Sequence, residues 1–113
     1  MTDHDPMPSF TVRVRSSDAG SSTVEAAGEI DLASSPELRR VLQGVLDDGA
    51  RHVVLDFHEV TFIDSSGLGV LVGALKRLNE GGDDGTLEVR GMTAPVRKVF
   101  EITGLTEIFA ISE

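Results

Sequence analysis

Phe62-Ile63-Asp64-Ser65-Ser66-Gly67-Leu68-Gly69 joins a short apolar run, Val53 to Phe57, to a longer segment with helical spacing at Leu68, Leu71, Leu75 and Leu78. The run before it is a buried strand with a short loop after it, and the segment behind it, Leu68 to Leu78, is a helix. Ser65 falls at the junction, where an N-cap hydroxyl satisfies one of the orphan amides of the first turn. The same place carries the positive end of the helix dipole, so a phosphate is electrostatically welcome there. The stretch sets a strand–loop–helix unit and leaves Ser65 two roles, plain helix cap or phosphorylation switch.

Outward from this unit, the elements alternate. Residues 1–8 read as a disordered N-terminal tail and 9–113 as one domain. Phe10, Val12 and Val14 alternate with Thr11, Arg13 and Arg15, the period of a half-buried strand. A turn cluster, Ser16 to Ser22, and a second strand, Thr23 to Ile30, complete an antiparallel hairpin. Ser35-Pro36 starts a helix, with proline at the first helical position. Leu38, Val41, Leu42, Val45 and Leu46 form its apolar face, and Asp47-Asp48-Gly49 stops it. Val53 to Phe57 reads as a central strand covered on both faces. The Ser65 helix ends near Gly81-Gly82. A strand at Leu87 and Val89, a helix from Thr93-Ala94-Pro95 to Gly104, and a short strand within Ile108 to Ile111 follow. The order is β-β-α-β-α-β-α-β. It predicts a single α/β domain whose mixed sheet begins with an antiparallel hairpin and carries helices packed against it.

Composition narrows the function classes. The 113 residues suffice for one domain with a real core. No cysteine is present, which excludes disulfides, thiolate catalysis and cysteine-rich zinc sites. Gly69 and Gly73 interrupt the longest apolar stretch, which is too short to span a membrane. The N-terminus lacks the basic and apolar regions of a signal peptide, so a cytoplasmic location is expected. Ten basic against nineteen acidic residues give a net charge of −9, which argues against nucleic-acid or anionic-membrane binding. The acidity serves either solubility or a partner with a basic docking face.

Ser66-Gly67-Leu68-Gly69 fails as a catalytic or nucleotide-binding device. A nucleophile elbow needs a glycine where Ile63 or Asp64 stands, a P-loop needs a lysine closer than Lys76, and Gly67, Gly69 and Gly73 miss the dinucleotide spacing. His4, His52 and His58 form no triad or metal-ligand pattern and read as surface or strand-end residues. Asp56 interrupts an apolar strand, and a carboxylate there needs partners. It either bonds loop amides at the strand's end or serves as a phosphoacceptor. The latter lacks its acidic pair after the first strand and its late lysine. No catalytic residue, metal or cofactor is implied, and the chain does not read as an enzyme. Gly69 and Gly73 leave the second helix apolar nearly all round, so another element covers it or it offers a shallow docking face.

Val60-Thr61-Phe62-Ile63-Asp64-Ser65-Ser66-Gly67-Leu68-Gly69-Val70 resembles the signature of STAS-domain anti-sigma factor antagonists. The likeness extends to Gly28-Glu29-Ile30-Asp31, to Val53–Phe57, to Pro95-Val96-Arg97-Lys98-Val99-Phe100 and to Thr103-Gly104-Leu105. The resemblance implies a binding module. Unphosphorylated, such an antagonist binds an anti-sigma factor that is also a serine kinase of the histidine-kinase-like ATPase fold, and a sigma factor is released. The kinase phosphorylates the serine at Ser65, and a PP2C-type phosphatase removes the mark. Asp31, Asp64, Ser66 and Gly67 stand near that site, Asp31 orienting the loop or meeting the kinase. Helical geometry adds Leu68, Gly69, Val72 and Gly73 as partner-binding positions. A monomer is expected when free. The alternative is a STAS module of another signalling or transport assembly, indifferent to Ser65.

Overall fold

The structure is a computed structural model that describes residues 10–80, 82 and 84–113. The predicted tail lies outside the described residues, apart from which the element order follows expectation. Strands β1 (Phe10–Asp18) and β2 (Ser21–Ile30) lead to helix α1 (Ser35–Asp47), strand β3 (His52–Ile63) and helix α2 (Ser65–Glu80). Strand β4 (Thr86–Arg90), helix α3 (Ala94–Thr103), a 3-10 turn (Leu105–Glu107) and strand β5 (Ala110–Ser112) complete the chain. The sheet order is β1-β2-β3-β4-β5, with β1 antiparallel to β2 and every later pair parallel.

Side-chain alternation gives the sheet two unlike faces. Val24 and Ala26 of β2, Val53, Leu55 and Phe57 of β3, and Leu87 and Val89 of β4 are buried in one core with Leu38 and Leu42 of α1, Leu71 and Leu78 of α2, and Val96 and Phe100 of α3. The ring of Phe100 meets that of Phe109 edge to face, 5.9 Å between centroids. The opposite face carries Arg13, Arg15, Glu25 and Asp56, which bond to one another. β3 is therefore covered by helices on one face only, not on both as its apolar run suggested; polar neighbours, not a helix, bury Asp56.

The strand predicted to end at Phe57 continues to Ile63, and the expected loop after it does not exist. Two register shifts explain why the pattern misled. β3 carries one extra residue opposite Glu25–Ala27 and another opposite Gly28–Glu29. Phe57, Val60 and Ile63 thus all face the core at intervals of three, which is not a strand period. The first turn is also tighter than the serine cluster suggested. Only Ala19 and Gly20, both at positive φ, turn the chain, with Asp18 opposite Ser21. Helix α1 begins one residue earlier than read: Ser34 takes the cap position and Pro36 the first turn. Gly104 closes α3 in the left-handed conformation, φ 78°, as expected.

Candidate functional site

Ile30 and Ile63 end β2 and β3 side by side, and the two outgoing loops are tied there. Asp64 N–H donates to Ile30 O at 3.1 Å, and Leu68 N–H donates to Asp64 O at 3.0 Å, the first helical bond of α2. The Asp64 carboxylate Oδ1 accepts from Ser66 N–H at 2.8 Å and from Gly67 N–H at 3.3 Å. Asp64, not Ser65, is the cap of α2. Aspartate caps as well as serine, and the bond back to Ile30 holds Asp64 where capping is possible. Ser65 becomes the first helical residue, exposed, with no hydrogen-bond partner for its hydroxyl among the described residues. Asp64→Ala should cost about 1 kcal/mol in urea unfolding, whereas Ser65→Ala should stay within about 0.5 kcal/mol.

Gly67 lets this joint close. It is buried, and a Cβ there would lie 2.5 Å from Ile30 Cγ2 and 2.8 Å from Ile63 Cγ1. The helix thus seats directly on the two strand ends, with Ser66 half-buried beside it.

The neighbouring loop is self-contained. Asp31 Oδ1 accepts from the amides of Ala33 and Ser34, each at 3.0 Å, and Asp31 O accepts from Ser35 N–H at 2.8 Å. Ser34 Oγ donates to Glu29 O at 2.7 Å and accepts from Asp31 N–H at 2.9 Å. The Ser34 amide foremost, with the Ser34 hydroxyl and the Ala33 amide, holds the Asp31 carboxyl below its ordinary value against a smaller opposing effect of desolvation. These bonds fix the shape of the loop around Asp31. The loop presents Leu32, 77% exposed, and Phe62 stands 47% exposed at the strand end. Sequence reading missed both as surface residues. Phe62 lay beyond the strand as read, which ended at Phe57, and the register shift that turns it outward is invisible in the pattern.

Helix α2, apolar nearly all round in sequence, is sorted by the fold. Leu68, Leu71, Ala74 and Leu78 are buried, while Ser65, Gly69, Val72, Gly73 and Lys76 form one exposed stripe at i, i+4, i+7, i+8 and i+11. Leu68, anticipated as partner-binding, is 8% exposed and packs in the core. Nothing lies within 4 Å of a Cβ built on Gly69 or Gly73. Packing within the domain therefore does not require a glycine at either position.

Asp56 sits apart from this site, in the middle of β3 and not at its end. Its Oδ2 accepts from Arg15 Nη1 at 3.0 Å, and its Oδ1 from the His58 amide at 3.1 Å with the His58 ring at 2.6 Å. Burial pushes the carboxyl up, but the bonds from the His58 ring and amide, then Arg15, outweigh it and hold the group below its ordinary value. A depressed carboxylate adds stability above the unfolded-chain value and loses it as pH falls through the lower folded value. Asp56→Asn should therefore destabilise by about 1–3 kcal/mol near neutrality. The gap from wild type should narrow below about pH 4, where unfolded aspartate protonates. Urea unfolding of both proteins from pH 2 to 7 measures it, and a gap constant with pH would contradict the assignment.

Known proteins share this fold. The family model described as "Mlab, STAS domain" matches residues 13–111. An anti-sigma-B factor antagonist from Staphylococcus aureus (strain NCTC 8325 / PS 47) is 38% identical over 90 residues, 80% of this chain and 82% of that protein. The crystal structure of an anti-sigma factor antagonist from Mycobacterium paratuberculosis superposes with a TM-score of 0.82 at 30% identity, covering 92% of this chain and 86% of that one. The phosphorylated form of the Bacillus cell fate determinant SpoIIAA, at 21% identity and a TM-score of 0.70 over 91% of this chain and 92% of its own, shares the fold. With its mixed five-stranded sheet and the Asp64-capped helix, the chain belongs to the STAS-domain family of anti-sigma factor antagonists.

Proposed function

We propose that this protein binds an anti-sigma factor when Ser65 is unmodified, freeing a sigma factor, and lets go when Ser65 is phosphorylated. The observation that carries the reading is the Ser65 hydroxyl. It is exposed, unbonded among the described residues, and heads the exposed stripe of α2, because Asp64 does the capping. Modification there leaves the helix cap and the core untouched. The partner is an anti-sigma serine kinase of the histidine-kinase-like ATPase fold, the reverse step belongs to a PP2C-type phosphatase, and the free antagonist is a cytoplasmic monomer. Leu32, Phe62, Gly69, Val72 and Gly73 supply the contact surface around the serine. The S. aureus relative is named for antagonising an anti-sigma-B factor, and the Bacillus neighbour exists in a phosphorylated form; both support the reading.

The test is capture from a lysate of the source organism with wild-type, Ser65→Ala and Ser65→Glu baits. A histidine-kinase-like ATPase should come down with the first two and be lost with the third. The captured kinase and ATP should then place phosphate on Ser65 of the wild type and none on Ser65→Ala, read by peptide mass mapping. Identical partners on all three baits would make Ser65 a bystander and this chain a STAS scaffold of another assembly.

A further inference from the structure

Below Gly73 the exposed stripe of α2 borders a groove of about 710 Å³, lined by Val72, Leu75, Lys76, Leu87, Ile108 and Ala110 among others. Its volume is that of a binding pocket, and Val72 and Ile108 remain 37% and 48% exposed beside it. The groove exists because β5 is short. β4 pairs with β3 from Thr86 onward but with β5 only from Glu88 onward. Backbone groups alternate in direction along a strand. Thr86 N–H donates to Arg51 O on the β3 side, and Gly91 N–H donates to Ser112 O on the β5 side. Leu87 N–H therefore points toward the β5 side, one residue ahead of the Glu88–Ala110 pair, and no carbonyl outside the strands meets it there among the described residues. The chain that could have supplied one is turned away at Ile108, whose N–H bonds Leu105 O. Leu87 is buried, and buried amides without acceptors are rare. Lys76, at the rim, makes no ion pair among the described residues, although Glu80, one turn farther along α2, lines the same groove.

We propose that this groove takes a short extended peptide segment of the same partner that covers Ser65. A backbone carbonyl of the segment accepts from Leu87 N–H, prolonging the line of β5 at the open sheet edge. An apolar side chain seats among Val72, Leu75 and Ile108, and a carboxylate meets Lys76. The unpaired amide calls for a backbone, the lining for an apolar residue and the lysine for an acid. Continuity points to the partner: Val72 belongs both to the stripe headed by Ser65 and to the groove. Ser65 and Lys76 are eleven residues apart, about 16 Å along the helix, within reach of one interface. The partner's identity rests on the Ser65 reading; the groove's capacity does not.

The experiment titrates the isotope-labelled full chain with the blocked peptide acetyl-Leu-Val-Glu-amide to millimolar concentration, followed by amide NMR. A saturable shift of the Leu87 amide, with Lys76 and Ile108, is expected. It should vanish in Ile108→Glu and persist in Ser65→Glu. Affinity of the captured anti-sigma partner should fall about tenfold in Ile108→Glu. Lys76→Glu serves as a second variant should the first melt. No saturable shift at Leu87, or one that survives both variants, overturns the groove. Peptide binding with partner affinity unchanged in both variants overturns the assignment to that partner. Release by Ser65→Glu is scored separately and judges only the switch.

Discussion

Ser65→Glu is expected to weaken binding of the anti-sigma partner at least a hundredfold while leaving the fold intact. The substitution sets a carboxylate on an exposed first-turn position, next to the Asp64 carboxylate that already occupies the cap. The first cation along α2 is Lys76, too far down the helix to neutralise it. In solution water screens the added charge. Inside an interface it must be desolvated without a matching cation, which costs several kcal/mol. About 3 kcal/mol is already more than a hundredfold in affinity. A phosphate, at about −1.5 to −2 charge, should act more strongly than the single charge of glutamate. The thermal midpoint of Ser65→Glu should stay within about 4 °C of wild type, since the change is worth no more than about 0.5 kcal/mol at such a surface position. Calorimetric titration against the purified partner gives the affinity ratio. A ratio below ten would remove electrostatic exclusion as the basis of the switch.

Gly67→Val is expected to be the most damaging single change at this site, lowering stability by about 3 kcal/mol or more. The first carbon of any side chain there would meet Ile30 and Ile63 at 2.5 and 2.8 Å, and both are core residues at strand ends without room to yield. A shift of that size corresponds to a drop of about 12 °C or more in the midpoint for a domain of about 100 residues. Two glycines farther along the same helix provide the contrast. Gly69→Ala and Gly73→Ala meet open space, so each should stabilise by up to about 1 kcal/mol, because alanine is the better helix former. If those positions face the partner, the stabilised variants should nonetheless bind it more weakly, as a methyl group intrudes on a flush surface. Denaturant midpoints of the three variants, beside their partner affinities, separate the glycine kept for packing from the two that leave the surface open.

These contrasts show where sequence suffices. The helical spacing of Leu38, Leu42 and Val45, and of Leu71 and Leu78, placed α1 and α2 on the sheet because an apolar stripe has one low-energy destination. The alternation of Phe10, Val12 and Val14 anticipated the hairpin for the same reason. The Asp64-Ser65-Ser66-Gly67 signature singled out the candidate site before any contact was known. Its internal roles were not legible there. Aspartate and serine are comparable caps, and only the bond from Asp64 N–H to Ile30 O, between residues distant in the chain, makes Asp64 the cap and leaves Ser65 free.

The same limit explains β3 and Asp56. A period-two pattern identifies a strand only while its register is regular, and two shifts against β2 carry Val60 and Ile63 into the core at the wrong spacing. Asp56 draws its partners from β1, across β2, and from His58 on its own strand. Sequence determined the elements and the fold class and singled out the candidate site, because hydrophobic period and capping chemistry are local. Tertiary structure decided which serine is exposed, which glycine is indispensable and which face of the sheet stays polar, because each depends on which distant backbone lies alongside.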